Sequence, residues 1–249
     1  MRKAKRPLIS VIVPTLNEEK YIGKCLESIK KQTLKDFEII VVDGESTDRT
    51  VEIAKRFETK IMFSKGNAAS ARNEGAQNSE GSILLFVDAD VILKDTNIFK
   101  KIKRILEDEK IGAVVCSPDP YLQNENSFVT ETFYKLFFSF GNFFSQISLK
   151  TKRLCVLMPG FCLFVKKSLF QKVGGFEEDL SFYEDADLVL KLQKNSDVVF
   201  LAGEVFSSVR RYSKLGFPKA NLYYFVSTLN SFFYKLRLKR TKPKLEPVR

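Results

Sequence analysis

The first half of the chain alternates short apolar runs with stretches of helical periodicity, and this alternation constrains the fold more than any other feature. Apolar runs without polar alternation are typical of strands buried on both faces of a parallel sheet. Strands that alternate with helices form βαβ units. We therefore predict an α/β fold with a mainly parallel sheet flanked by helices. The predicted strands are residues 8–13, 38–43, 60–64, 82–88 and 111–117, and the predicted helices are residues 21–31, a segment starting at 48, 68–78 and 96–108.

The strand within ILLFVDADVIL, residues 83–93, is followed at once by two acids, Asp88 and Asp90. Open α/β sheets bind their ligands in the crevice beyond the carboxyl ends of the strands. Taken alone, a D-x-D pair at this place is consistent with a ligand site and also with two solvated loop acids. The neighbouring motifs must decide between these interpretations.

Histidine is absent from all 249 residues, which excludes several classes of active site. Without histidine there can be no Ser-His-Asp or Cys-His nucleophile system and no His-ligated zinc. A general base that acts near neutral pH is then expected to be a carboxylate. The four cysteines form no C-x-x-C pair, so we expect reduced thiols in a cytoplasmic protein.

The formal charge of +11 is concentrated at the C-terminal end of the chain. Residues 209–249 contain eleven Lys or Arg and one acid, whereas residues 1–208 contain 30 basic and 29 acidic residues. We therefore predict a nearly neutral domain, 1–208, followed by a basic tail, 209–249. The pI of about 9.4 would suit a nucleic-acid-binding protein, but the neutral body argues against nucleic acid as a partner.

Two apolar helical patterns suggest contact with a membrane. In the tail, apolar residues recur at helical spacing from Leu222 to Leu236, and a basic cluster spans 235–244. Such a helix can lie on an anionic membrane surface, or it can pack on the domain with a solvated basic end. A Phe-rich face at 133–147 is expected either to pack on the core or to face membrane or lipid. We predict a cytoplasmic protein, peripherally associated with the inner face of the cell membrane.

Three further stretches accompany the D-x-D acids in a definite order. They are PTLNEE, VVDGESTDRT and GNAASARNEGA, at residues 14–19, 41–50 and 66–76. Together with LLFVDAD, they resemble the family-two glycosyltransferases, inverting enzymes of the Rossmann-like GT-A fold that use nucleotide-diphosphate sugars. The resemblance covers about residues 8–194. It implies a nucleotide-sugar-binding half at about 8–117 and an acceptor half at 118–208.

The resemblance implies roles for particular residues on the donor side. Pro14, Glu18 and Asp43 would hold the nucleoside, and Arg72 would lie near the nucleotide. Asp88 and Asp90 would meet the ribose and a divalent cation, Mg²⁺ or Mn²⁺, on the diphosphate. A metal held by hard carboxylate oxygens would neutralise the negative charge that develops on the leaving diphosphate.

The acceptor side of the resemblance falls on GGFEEDLSFYEDADLVLKL, residues 174–192. An E-D pair, Glu184 and Asp185, opens a helix there, and the resemblance makes Asp185 the base for the acceptor hydroxyl. Acids at a helix N-terminus are also ordinary partners of the helix dipole. Six acids within eleven residues can, in addition, raise the pKa of one carboxyl group.

Two departures from the family pattern concern the metal and the nucleoside. Gly44 follows Asp43 where many members carry a second aspartate, and no histidine is present as a further metal ligand. Arg210 and Arg211 would instead neutralise the diphosphate, or they belong to the basic tail.

The resulting prediction is a metal-assisted, inverting transfer of a sugar to an acceptor hydroxyl or a lipid phosphate. We prefer a lipid-linked acceptor, since the tail would bring the protein to an anionic membrane surface. The alternatives are a nucleotidyltransferase and a non-catalytic protein that binds nucleic acid or membrane.

Overall fold

In the part of the chain that the structure describes, eight strands form one sheet, which is covered by helices on both faces. This computed structural model describes residues 6–121, 128–151, 161–180, 183–222 and 226. The strands are β1 (Ile9–Thr15), β2 (Phe37–Asp43), β3 (Lys60–Phe63), β4 (Ile83–Val87), β5 (Val91–Leu93), β6 (Ile111–Tyr121), β7 (Cys162–Lys166) and β8 (Asp197–Ser208). The helices are α1 (Ile22–Lys30), α2 (Thr50–Lys55), α3 (Ala68–Gln77), α4 (Ile98–Leu106), α5 (Phe128–Thr151), α6 (Lys167–Lys172), α7 (Glu184–Gln193) and α8 (Arg210–Leu215).

Parallel pairing dominates the sheet, whose strand order is β3-β2-β1-β4-β7-β6-β8-β5. Strand β1 pairs in parallel with β2 and β4, β2 with β3, and β6 with β8. Strand β7 is antiparallel to β4 and β6, and β5 is antiparallel to β8. The predicted α/β fold with a mainly parallel sheet is confirmed. Because β1, β2 and β4 run in one direction, the motifs that follow them gather at one edge of the sheet.

Two apolar cores cover the two faces of the central strands. Val11 and Val13 pack with residues of α1 and α4 on one face. Ile12 and Phe86 pack with residues of α3, α6 and α7 on the other face. Successive side chains of a strand point to opposite faces, so a strand covered on both sides must be apolar at every position. This explains why all five residues of β4 are buried and why its sequence shows no alternation.

Helix α3 approaches the sheet closely through Gly75. A Cβ atom at this position would lie 2.6 Å from Cγ2 of Ile12 and 3.1 Å from Cγ2 of Val42. A side chain of any size would therefore push the helix away from the sheet. Arg72 lies about one turn earlier on the same helix, so the contact at Gly75 sets how deeply Arg72 enters the edge of the sheet.

Part of the segment predicted as a tail packs on helix α5. Tyr134 and Phe138 of α5 form a buried cluster with Val209, Tyr212 and Ala220. Residues 217–222 continue this segment as a helix. The basic cluster at 235–244 lies outside the described residues.

The remaining apolar face of α5 is exposed. Its side chains are 42–67% accessible to solvent at Leu136, Phe140, Phe143 and Ile147. Of the two expectations for the Phe-rich face, packing on the core does not hold at these four positions, because Tyr134 and Phe138 on another face make that contact. The alternative, contact with membrane or lipid, stays a prediction. Within the described ranges, no helix is both long and apolar enough to cross a membrane.

Candidate active site

Asp88 lies directly beyond β4, where the backbone pairing of β4 with β7 continues for one more step. The N–H of Asp88 donates to the carbonyl oxygen of Phe161 over 3.1 Å. In return, the Phe161 N–H donates to Oδ2 of Asp88 over 3.1 Å, and Nη2 of Arg72 donates to Oδ1 over 2.7 Å. The sheet itself therefore fixes the position of this carboxylate.

Arg72 connects the D-x-D acids with the E-D pair. Its Nη1 donates to Oε1 of Glu184 over 2.9 Å, while Nη2 holds Asp88. The guanidinium lies over the rings of Phe161 and Phe176, 5.1 Å and 5.3 Å from their centroids. Burial alone would lower the pKa of Arg72, but the neighbouring carboxylates outweigh burial and raise it. Arg72 is thus a permanent positive charge between the two acidic motifs.

Asp185 occupies the first turn of α7, directly after Glu184. Burial and the neighbouring Glu184 carboxylate raise the pKa of Asp185 to about 7, although the Arg72 guanidinium opposes the shift. Tyr183, which precedes this pair, has a left-handed backbone with φ of 73°. Non-glycine residues adopt this conformation at a cost of roughly 1–3 kcal/mol, and such strain clusters at functional sites. A carboxyl group that titrates near neutral pH is suited to general-base catalysis.

The second acid of the motif, Asp90, pairs with a different arginine. Nη2 of Arg210 lies 3.2 Å from Oδ2 of Asp90. The same guanidinium donates to both carboxylate oxygens of Glu18, over 2.5 Å and 2.7 Å, and lies 4.5 Å from the ring centroid of Tyr21. Arg210, predicted either for the diphosphate or for the tail, therefore lies within the site. The side chain of Arg211 lies outside what the structure describes.

The buried thiol of Cys25 lies close to the three donor-side acids. Burial raises the pKa of Cys25, and the carboxylates of Asp90, Asp88 and Glu18 raise it further. Its Sγ also donates to the carbonyl oxygen of Asp88 over 3.7 Å. Because Arg210 contacts both Glu18 and Asp90, the loops that follow β1 and β4 meet at this point.

Asp43 holds the loop after β2 against β1. Its carboxylate is fully buried and accepts from the Thr15 hydroxyl over 2.8 Å and from the Ser46 hydroxyl and N–H over 2.6 Å and 2.7 Å. A nucleoside would have to compete with these three bonds, so the nucleoside role of Asp43 stays a prediction. Pro14, on β1 beside Val42, is partly exposed at the same edge.

Among the described side chains, carboxyl groups outnumber guanidinium groups at this edge. Five carboxyl groups face two guanidinium groups, and the acids are Glu18, Asp88, Asp90, Glu184 and Asp185. In the described part of the chain, no three His, Cys, Asp or Glu side chains are already arranged to hold a metal ion. The hard oxygens of Asp88 and Asp90 nevertheless fit Mg²⁺ or Mn²⁺, because such ions commonly bind one or two carboxylates and take further ligands from phosphate. An excess of carboxylates would also repel an anionic diphosphate that arrived without a cation.

Sequence reasoning missed four residues that contact the predicted acids and arginines. Phe161 and Phe176 contact the guanidinium of Arg72, Tyr21 contacts that of Arg210, and Cys25 lies close to the D-x-D acids. Phe176 could have been noticed within GGF, but the other three carry no local signal.

Comparison with known proteins identifies a protein family and relatives that are similar to this chain. A family profile described as "Glycosyl transferase family 2" matches residues 10–174. An uncharacterized glycosyltransferase of Rickettsia typhi is 31% identical over 198 residues, which are 78% of this chain and 61% of that protein. The chain therefore spans about three fifths of the length of this relative.

Two solved structures share the fold. TarS of S. aureus, in complex with UDP-GlcNAc, has a TM-score of 0.62 at 22% identity, over 81% of this chain and 58% of that chain. The mannosyltransferase PcManGT from Pyrobaculum calidifontis, in complex with GDP-Man and Mn²⁺, has a TM-score of 0.63 at 20% identity, over 96% of this chain and 67% of that chain. These similarities confirm the expected GT-A fold.

Proposed function

Because this chain belongs to glycosyltransferase family 2, we propose that it transfers a sugar from a nucleotide-diphosphate sugar to an acceptor, with inversion at the anomeric carbon. The observation that carries the proposal is the chain of ion pairs from Asp88 through Arg72 to Glu184, the residue directly before Asp185. Donor binding and base catalysis would then take place in one cleft.

The chemistry is a single displacement. The acceptor oxygen forms a bond to the anomeric carbon while the bond from that carbon to the phosphate oxygen breaks, and the electron pair leaves with the nucleoside diphosphate. The proton of the acceptor hydroxyl passes to the carboxylate of Asp185. Arg72 holds Glu184 in place beside this base. One displacement at a carbon centre inverts its configuration, in agreement with the family resemblance.

Asp88 and Asp90 would hold Mg²⁺ or Mn²⁺. When bound, the cation supplies positive charge against the developing negative charge of the leaving diphosphate. The excess of carboxylates over guanidinium groups at this edge supports its presence. If Asp90 holds the metal, replacing Asp90 should abolish the metal-dependent part of nucleotide binding.

We expect Mn²⁺ together with the correct nucleotide to raise the melting temperature of the full chain, since a ligand that binds only the folded state stabilises it. UDP, GDP, UDP-GlcNAc and GDP-mannose are to be compared with and without Mn²⁺. Asp90→Ala should abolish the Mn²⁺-dependent rise, whereas Glu107→Ala, at an exposed acid that follows α4, should retain it. Full Mn²⁺-dependent stabilisation of Asp90→Ala would contradict the assignment of the metal.

We also propose a lipid-linked acceptor and a location on the cytoplasmic face of the cell membrane. The exposed stripe of α5, formed by Leu136, Phe140, Phe143 and Ile147, supports this location. The basic cluster at 235–244 supports it as well, because anionic lipid attracts basic segments. A lipid-linked acceptor would be presented at that surface.

A further inference from the structure

The two acids of the D-x-D motif are paired with arginines of very different accessibility. Arg72, the partner of Asp88, has a side chain only 5% exposed and contacts two aromatic rings. Arg210, the partner of Asp90, is 18% exposed and contacts one ring, that of Tyr21. Arg72 is therefore enclosed, whereas the guanidinium of Arg210 lies at the rim of the site.

The guanidinium of Arg210 takes the contacts that a bound cation would need. It neutralises Glu18 through two hydrogen bonds and reaches Oδ2 of Asp90 at the same time. A divalent cation on Asp90 would require that oxygen. The guanidinium and the cation would repel each other at such a distance, so both cannot hold Asp90 together.

The main chain that carries Arg210 is anchored independently of these contacts. The Arg210 N–H donates to the Ser208 hydroxyl over 3.2 Å. Two residues further on, Tyr212 is buried in the cluster with Tyr134 and Phe138 of α5. The long side chain of Arg210 can consequently change partners while α8 stays in place.

We propose that Arg210 is a positioning residue that holds Glu18 and Asp90 before the donor binds and passes to the donor diphosphate when a divalent cation takes Asp90. This inference rests on the proposed function. No covalent bond changes in this exchange. The guanidinium gives up hydrogen bonds to carboxylate oxygens and gains hydrogen bonds to phosphate oxygens, to which arginine binds bidentately. Arg210 would then supply positive charge to the diphosphate without being a metal ligand.

The proposal predicts that replacing Arg210 changes two affinities in opposite directions. In the full-length Arg210→Gln variant, Mn²⁺ alone should bind about tenfold more tightly, because Asp90 and Glu18 lose a competing positive charge. Inorganic pyrophosphate, in the presence of saturating Mn²⁺, should bind about tenfold more weakly, because its second cationic partner is missing. Mn²⁺ binding is measured by electron paramagnetic resonance titration and pyrophosphate binding by calorimetry.

Two further variants separate this role from a structural one. Arg210→Lys keeps the charge but not the bidentate fork, so it should bind Mn²⁺ nearly as the unmodified protein does and recover part of the pyrophosphate affinity. Lys219→Gln removes an exposed positive charge from the helical segment after α8 and should change neither affinity.

Three outcomes would overturn the proposal. Parallel loss of both affinities in Arg210→Gln would mean that Arg210 only supports the fold of the site. Unchanged Mn²⁺ affinity would mean that it does not compete with the cation. If the unmodified chain bound neither Mn²⁺ nor pyrophosphate, the metal site of the proposed function would be wrong, and the role of Arg210 would be wrong with it. Because this result concerns the unmodified protein, it is distinguished from the two results in Arg210→Gln.

Discussion

At the residue scale, two arginines organise the acids that the sequence analysis singled out. Arg72 was expected near the nucleotide, but in the structure it binds Asp88 and Glu184 and links the donor acids to the proposed base. Removing one partner of a buried ion pair leaves the other charge unpaired and costs roughly 3–5 kcal/mol. Arg72 therefore supports the fold of the site, and its charge opposes the rise in the pKa of Asp185.

Replacing Asp185 with Asn tests the proposed base. We expect Asp185→Asn to lower the turnover number by about 10²- to 10⁴-fold, the usual contribution of a general base, and to leave donor binding nearly unchanged. Steady-state and single-turnover assays separate these two effects. Turnover near the unmodified level would assign the base elsewhere.

The raised pKa of Asp185 also predicts how activity and stability depend on pH. Since the base must be ionised, turnover should rise as the pH passes about 7. The pKa of Asp185 in the folded state lies above its unperturbed value of 3.8, so the folded state favours the neutral carboxyl group. The neutral group therefore contributes its full stabilisation below about pH 4, and this stabilisation is lost as the pH rises through 7. Urea denaturation at several pH values should show this decline in the free energy of unfolding for the unmodified chain and a weaker decline for Asp185→Asn.

At the scale of single elements, helix α3 shows how packing positions a functional side chain. Gly75 allows α3 to approach Ile12 and Val42, and Arg72 projects from the preceding turn. The glycine was visible in GNAASARNEGA, but nothing in the sequence distinguishes it from a flexible one. A glycine is required at this position because α3 packs directly on the sheet.

Two glycine-to-alanine variants provide a matched test of this packing. Gly75→Ala should lower the free energy of unfolding by about 1–3 kcal/mol, because its Cβ would overlap with the sheet. Gly23→Ala, in α1, should be neutral or stabilise by up to about 1 kcal/mol, because the nearest atom is 3.6 Å away and alanine favours helix. Denaturant unfolding of both variants measures the difference. An equal effect in the two would contradict the close contact of α3.

At the scale of the whole molecule, α5 links the site to an exposed apolar surface. One face of α5 packs on the segment that carries Arg210, through Tyr134, Phe138 and Tyr212. Another face carries the exposed stripe from Leu136 to Ile147. From this exposed stripe and the basic cluster at 235–244 together, we infer a membrane-facing surface.

Vesicle co-sedimentation of the full chain tests this surface. With vesicles that contain anionic lipid, we expect binding to fall at least tenfold when Lys235, Arg237, Lys239 and Arg240 are replaced by Gln, since each contributes about 1 kcal/mol near such a surface. Leu136→Ser combined with Ile147→Ser should also weaken binding. As a control, the same change at four exposed lysines, Lys55, Lys65, Lys100 and Lys172, should have little effect. Binding that is indifferent to salt and anionic lipid would rule out the proposed membrane contact.

Except for the short strand β5, the sequence by itself determined the class of fold, the order of strands and helices in the first half, and the acids at the ends of the strands. These features are local, because the periodicity of an apolar run and the residue that follows it are visible within a few positions. The family resemblance that rests on them is confirmed. The same local patterns left two alternatives open for the Phe-rich face of α5, since a helical face does not reveal which neighbour will cover it.

Only the tertiary structure decided which charges meet. Arg72 binds Asp88, 16 residues away, and Glu184, 112 residues away, while Arg210 binds Glu18 across 192 residues. Many arginines and acids along the chain could form such pairs equally well. The choice is made when parallel strands bring their carboxyl ends to one edge of the sheet and β8 returns the chain there, because buried charges must then find partners within a few ångströms.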